Sequence, residues 1–481
     1  MKGVTDDEFE VYLSFEQRDE EWRAYMNKRL VRKIDMKLLP FLVLMYLLNF
    51  LDRSNLAQAR LGTLEEDLNM KSNDYNLATS ILFVGYLLMQ LPSNLVITRV
   101  RPSYFLGGAM AIWGLISGLQ ATISSFGGLV AARFCLGIVE APFFPGAVML
   151  MSSWYTRNEI GHRIAWFYCG NAVAQMFGGL IGAGVLGNLN GTHGIAGWRW
   201  LFIIDGTITV VVALTSMFFL PDFPSEKCKW LTEEELHYER WRITIDMHES
   251  EDLGAVSLIG GMKMAFKDYR VYVFILFQHL SLLTQTFQYF LPTIVNSLGF
   301  GHIESLLLTA PVWFLTFVVS LTATYTSGRY NDRSIHIVAL MAVSAFGNIL
   351  VVATLNTAAR FVGMFFLPMG AFTAYEIIVA WIANTFPRPS VKRSAVVAIC
   401  NMLGNTATIY GTYLYPSTTG PRYLMGGAST AAFCVVTAVV AWGIRLMLVR
   451  ENRMLEKLEN ENLEELPEST HAMGRGFRYI V

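Results

Sequence analysis

The stretch "LLNFLDRSN" (residues 47–55) follows an apolar run, Leu38 to Tyr46, that a single proline, Pro40, interrupts. Asp52 and Arg53 then stand side by side before the helical pattern has ended. Read as a membrane helix beginning near residue 37, the run carries Arg53 about sixteen residues in, roughly 24 Å along the axis at 1.5 Å per residue. A charge at a helix centre costs about 2.5–3.5 kcal/mol on insertion scales. A chain that keeps two there has a partner or a use for them.

Composition supports the membrane reading. Of 481 residues, 53% are hydrophobic and 16% charged, where a soluble protein carries roughly 25% charged residues. Mean hydropathy is +0.40, and charges cluster in short segments between long apolar runs. Runs of about twenty apolar residues predict twelve spans: 37–60, 76–98, 103–123, 127–151, 163–187, 198–220, 271–292, 304–328, 336–355, 360–384, 391–414 and 426–449. The expected fold class is therefore all-α and integral to the membrane. A tail (1–36), a first group of six spans (37–220), a polar central loop (221–270), a second group of six (271–449) and a second tail (450–481) follow from the same reading.

The central loop contains "LTEEELHYER", where Thr232 and Glu235 fit a capping box opening a short surface helix. The second tail reads as a solvated charged helix, "RENRMLEKLENENLEE" (450–465). Lys and Arg set the orientation. They crowd before the first span (Arg29, Arg32, Lys33, Lys37), after the second (Arg99, Arg101), after the fourth (Arg157, Arg163), in the central loop (Lys227, Lys229, Lys263, Lys267, Arg270) and after the tenth (Arg388, Lys392, Arg393). Both tails and the central loop are expected in the cytoplasm. The five cysteines have no paired metal-ligand spacing and predict no disulfide framework. The net charge of −1 says nothing about nucleic acid, and the sequence has no basic tract of the kind such binding needs. The acidic N-terminal stretch has no signal-peptide pattern. No cofactor or metal is expected.

Further charges fall in the fourth span, "GGLVAARFCLGIVEAPFFPG", where Arg133 and Glu140 are seven residues apart. That spacing puts them on nearly one face, about 10 Å apart. Asp52/Arg53 and Arg133/Glu140 are able to pair across helices in a shared cavity. One reading is a structural lock between the first and fourth spans. The other gives the arginines to an anion and the carboxylates to protons. Guanidinium binds a carboxylate through two parallel hydrogen bonds. A desolvated carboxylate favours its protonated form and a neighbouring arginine favours its charged form, so an anion that takes the arginine alters the proton affinity.

"FLDRSN", "RFCLGIVEAPFFPG" and "GWRWLFIIDG" resemble the anion:cation symporter family of the major facilitator superfamily. "PTIVNSLGF", "AWIANTFPRPSVKRSA" and "CNMLGNTATIYGTYLYPSTTGPRY" resemble its fungal branch of allantoate, nicotinate and pantothenate permeases. The resemblance covers about residues 30–450 and implies twelve helices in two six-helix halves with cytoplasmic termini. It implies that Asp52 and Glu140 are the proton-linked carboxylates, that Arg53 contacts the substrate anion, and that Arg133 pairs with the acid. A second-span tyrosine of the family is kept as Tyr86. The tyrosine three residues before the family's arginine is Phe50 here, which removes a hydroxyl and argues against a sugar acid. The superfamily's gating motif is eroded in its first copy, with Ser93 at the glycine place and Ile97 at the aspartate place. Its second copy keeps Gly328, Asp332 and Arg333.

Polar residues inside other spans form a second tier. Gln278, Gln285 and Tyr289 recur at i, i+7 and i+11, one helical stripe that faces either the substrate or a neighbouring helix. Glu376 is an expensive acid near the middle of the tenth span. Trp381 is a candidate aromatic wall, and Asn401, Asn405, Asn171 and Gln175 are candidate hydrogen-bonding groups. Each is as consistent with interhelical packing, and Gly178 and Gly182 read as packing devices. The leading function is proton-coupled symport of a small carboxylate nutrient across the plasma membrane. Its partners are the organic anion, protons and the bilayer, and a monomer suffices. Efflux or exchange of a secondary metabolite on the same fold, and a non-transporting nutrient sensor, remain alternatives. No nucleophile motif, His cluster or cofactor loop points to an enzyme.

Overall fold

In lipid every backbone N–H and C=O must be satisfied within the protein, which restricts spanning segments to helices or closed barrels. The computed structural model describes residues 11–12, 14–71, 73–97, 100–224, 228, 230–248, 258–386, 390–460 and 478–481, and among these the chain forms helices and no strand. Arg99, Lys227, Lys229 and Arg388, used in the charge reading, lie outside the described residues, as does 461–465 of the charged tail.

The main helices are α1 (Glu20–Ala59), α2 (Asp74–Ile97), α3 (Pro102–Leu119), α4 (Phe126–Glu140), α5 (Phe143–Trp154), α6 (Arg157–Asn188), α7 (Gly197–Phe219) and α8 (Glu233–His248). They continue with α9 (Leu258–Lys267), α10 (Tyr269–Thr284), α11 (Leu291–Asn296), α12 (His302–Arg329), α13 (Ser334–Ala353), α14 (Thr357–Thr385), α15 (Ser390–Gly411) and α16 (Leu424–Asn460). Nine spans among the described residues are long and apolar enough to cross a membrane, α4 and α5 together counting as one. The other three expected spans fall on α2, α10–α11 and α15. These three supply polar and aromatic walls to the central cavity.

Helices α1, α2, α3, α4, α6 and α7 pack among themselves, as do α10 and α12 to α16. The two sets meet chiefly along α6 against α12 and α2 against α15. The end of the bundle remote from the termini is tied across the sets. Tyr75 donates its hydroxyl to the Tyr289 carbonyl (2.6 Å), Asn76 Nδ2 donates to the Thr412 carbonyl (3.0 Å), and the His302 ring bonds the Leu61 carbonyl.

Three elements depart from expectation. Helix α1 begins at Glu20, not near residue 37, because its amphipathic start is held by α8. Lys33 Nζ bonds both oxygens of Glu235 (2.6 and 2.8 Å), while Phe15 and Trp22 meet Tyr238 edge to face. The capping box on α8 forms in both directions, but the helix is docked on the bundle and is no free surface helix. The fourth span breaks between α4 and α5 at Ala141-Pro142, immediately after Glu140. Pro142 removes a backbone donor, and its ring clashes with the preceding turn. The seventh span breaks at Gln285 into a 3₁₀ turn, Thr286–Tyr289, before α11.

On the face that carries the central loop, Asp268 joins the start of α10 to that of α15. Its Oδ2 accepts from Arg270 Nη2 and from Lys392 Nζ, both at 2.7 Å. Hydrogen bonds and charge from these two cations hold the Asp268 carboxyl down at about 2, against the desolvation that would raise it. A depressed carboxyl stabilises the fold above its ordinary value near 3.8 and loses that contribution as pH falls through about 2. Asp268→Asn is therefore expected to lower the melting temperature at neutral pH, with the gap to wild type closing in strong acid. A gap independent of pH would contradict this role.

Candidate functional site

The cavity lies between the two sets of helices and has a volume of about 90 Å³. Close packing of α4 on α2 brings the fourth-span charges to its edge. A Cβ on Gly137 would stand 1.9 Å from the Leu82 carbonyl oxygen, so no larger residue permits this approach. Gly178 is similar: a Cβ there would meet Gln58 Nε2 of α1 at 2.4 Å.

Arg53 enters the cavity from α1. Its Nε donates to Glu140 Oε2 at 2.6 Å, and the Glu140 side chain is sealed behind it. Three rings surround the guanidinium carbon, with centroids at 5.5 Å (Phe50), 5.7 Å (Phe83) and 5.1 Å (Tyr86). Such a cage holds a cation in a low-dielectric site while leaving its planar edge for an anion. Among the described residues Glu140 Oε1 has no hydrogen-bond partner.

The expected pairing is corrected in two respects. Arg133 makes no ion pair with Glu140: it is buried, its Nε and Nη2 lack hydrogen-bond partners, and its guanidinium carbon lies 5.7 Å from the Phe202 ring centroid. With Tyr75, Thr79, Tyr289 and Arg53 it lines a small side chamber instead. Asp52 does not face the cavity. Ser117 donates to its Oδ1 (2.6 Å) and Thr209 to its Oδ2 (3.1 Å), placing it against α3 and α7 beside Asp205. Adjacent helical residues point about 100° apart, so Asp52 and Arg53 cannot share a face.

Tyr86, Gln285, Tyr289, Glu376, Asn401 and Asn405 all line the cavity. Asn405 Nδ2 donates to Asn401 Oδ1 at 2.8 Å, fixing the pair. Gln175 reaches the cavity indirectly, its Nε2 bonding Gln288 Oε1 at 3.3 Å. The i, i+7, i+11 stripe does not survive, since the helix breaks at Gln285. Gln278 turns toward Tyr375 and the α15 backbone at Gly404. Trp381 is corrected too: it is buried among Phe274, Phe277 and Phe386. Its Nε1 donates to the Ile480 carbonyl at 2.9 Å.

Of the motif residues, Asp332 Oδ2 accepts from Arg445 Nη1 (2.9 Å) and Oδ1 from the Ile335 N–H at the start of α13. The Arg333 N–H donates to the Val481 carbonyl. Gly328 lies in the last turn of α12. At the two eroded places of α2, buried Ser93 donates its hydroxyl to the Gln90 carbonyl at 3.0 Å and Ile97 is buried in the apolar core.

Sequence reading missed Tyr46, Tyr168, Tyr375 and Gln288, all in the cavity wall. Tyr46 sits one turn before Phe50, with ring centroids 4.8 Å apart. It returns a hydroxyl to the wall from which Phe50 removes one. An i, i+4 pair of aromatics beside a charged residue was the available signal.

A helical membrane protein with an arginine caged in a central cavity belongs to the class of membrane transporters. The match to the family model "Major Facilitator Superfamily" over residues 42–412 agrees with this. The chain is 33% identical to "MFS-type transporter cnsO" of Penicillium expansum, covering 96% of this chain and 91% of that one. It is 30% identical to "Major facilitator-type transporter hxnP" of Emericella nidulans, covering 90% and 88%. The xylose transporter XylE of E. coli, solved in a partially occluded inward-open conformation, shares the fold with a TM-score of 0.66 at 13% identity, over 85% of this chain and 98% of that one. The chain belongs to the Major Facilitator Superfamily.

Proposed function

We propose that this chain is a proton-coupled symporter that takes up a small organic anion across the plasma membrane. The observation that carries the reading is the Arg53–Glu140 pair, in which the arginine faces the cavity and the acid lies behind it. A substrate carboxylate engages the guanidinium through two parallel hydrogen bonds. Glu140 then loses its counter-charge, and a proton becomes the way to keep it neutral in a desolvated site. Anion and proton enter together and leave together. Asp52, remote from the cavity, serves as a structural carboxylate in this scheme. One proton per monovalent anion moves no net charge, so the pH gradient drives uptake, at about 1.4 kcal/mol per pH unit.

Twelve spans in two halves, residues 37–220 and 271–449, would rock about the cavity, with 221–270 and both tails in the cytoplasm. The Lys and Arg bias and the docking of α8 beside the start of α1 support that orientation. The hydrogen bonds at the opposite end then form the closed outer gate. Gly328, Asp332 and Arg333 form the inner gate of the second half. The motif resemblance supports substrates of the allantoate, nicotinate and pantothenate kind, and one chain contains the whole cavity, which supports a working monomer.

Uptake of a labelled panel of small carboxylates by transporter-deficient yeast tests this reading. Accumulation stronger at acidic external pH and abolished by a protonophore is the expected result. Surface expression without uptake of any acid, combined with export from preloaded vesicles, would overturn it in favour of efflux.

A further inference from the structure

Among the residues lining the cavity, two carry charge: Arg53 from α1 and Glu376 from α14. They come from opposite sets of helices. Glu376 is half-buried, and its Oε2 accepts from the Ser320 hydroxyl and, at 3.5 Å, from that of Thr324. Among the described residues no lysine, arginine or histidine pairs with it, and its Oε1 receives no hydrogen bond. Between the two charges stand aromatic rings. Tyr46 and Tyr168 both lie within electrostatic reach of Glu376, and Tyr46 also of Arg53.

A plain carboxylate would satisfy Arg53 and leave Glu376 without a cationic partner, either charged and repelling the bound anion or neutralised by a proton. Like charges brought together there cost several kcal/mol of discrimination and so select against such a ligand. A positive group at the far end of the same molecule reverses the sign. Resting on the assignment of Arg53 to the substrate carboxylate, we propose that the cavity takes a dipolar substrate, with its carboxylate on Arg53 and a protonated nitrogen on Glu376. The tyrosine walls accept the apolar or aromatic body that joins the two ends. The substrate class is thereby narrowed from organic anions to amino-carboxylates with well-separated charges.

Calorimetric titration of the purified full chain in detergent micelles tests this with three matched series: straight-chain alkanoates from propanoate to octanoate, the ω-aminoalkanoates of the same lengths, and the corresponding alkylamines. At the best chain length the ω-aminoalkanoate is expected to bind about tenfold or more tighter than the alkanoate, one charge-assisted hydrogen bond's worth of preference. E376Q should bring that ratio to about one. Glu376→Asp, which withdraws the carboxylate by one methylene, should keep the preference and move the optimum to a longer chain. Because each readout is a ratio within one variant, a loss of folded protein does not imitate it. Equal binding of both acid series at every length would overturn the proposal and leave the carboxylate site on Arg53 standing. Alkylamines binding as tightly as the ω-aminoalkanoates would overturn the Arg53 assignment, and this proposal with it.

Discussion

Arg53→Ala is expected to abolish carboxylate uptake while protein still reaches the membrane. Two charge-assisted hydrogen bonds of about 1.5–3 kcal/mol each are lost, which corresponds to about two to four orders of magnitude in affinity. The substitution also strips Glu140 of its partner at 2.6 Å. Removing one member of a buried pair costs about 3–5 kcal/mol, so the single variant carries a folding penalty. The double variant Arg53→Ala/Glu140→Gln removes both charges and separates the two effects: it should reach the membrane in greater amount than the single variant and still fail to transport. Normal uptake by either variant would remove the anion site from Arg53.

Glu140→Gln is expected to separate exchange from accumulation. The amide has the shape of a protonated carboxyl and never needs a proton to release Arg53. Substrate should therefore bind with an affinity independent of pH, and preloaded vesicles should still exchange labelled for unlabelled acid. Uphill accumulation should fall to the equilibrium level, since no proton is carried with the anion. Accumulation against a gradient at wild-type strength would show that another carboxylate does the coupling, with Asp52 and Asp205, buried together near α3 and α7, the next pair to test.

The helical membrane architecture and the pairing of charges across the first and fourth spans were legible because charge within an apolar run is costly and therefore conspicuous. Partnership was less legible. Spacing puts Arg133 on the same face as Glu140, and the family resemblance implies that it is the acid's partner. The structure gives Glu140 to Arg53 instead, whose Nε reaches it at 2.6 Å from α1, while the close approach of α4 at Gly137 is to α2. Asp52 illustrates the opposite error, since adjacency in sequence was read as adjacency in space when one residue's rotation sends it toward Ser117 and Thr209.

Helix breaks account for most of the remaining differences. The stripe of Gln278, Gln285 and Tyr289 presumes an unbroken helix, and the 3₁₀ turn after Thr284 redirects its second half. Pro292, which lies in the first turn of α11, was visible in the sequence, yet it did not mark how far upstream the break would fall. Trp381 had no local signal for its role, because its partner is the Ile480 carbonyl, far along the chain. The tyrosine wall was hidden for a different reason. Tyr46, Tyr168 and Tyr375 are apolar enough to pass as packing residues, and only the convergence of three helices gives their hydroxyls a common cavity.

The central claim is that a carboxylate takes Arg53 from Glu140 and that Glu140 then takes a proton. The direct measurement is the proton balance when an accumulated acid from the panel is added to the purified protein in weakly buffered micelles, followed with a pH dye. Wild type should take up about one proton per bound anion, and Glu140→Gln should bind the acid with none. Binding without proton uptake in the wild type, or undiminished proton uptake in Glu140→Gln, would contradict the coupling between these two residues.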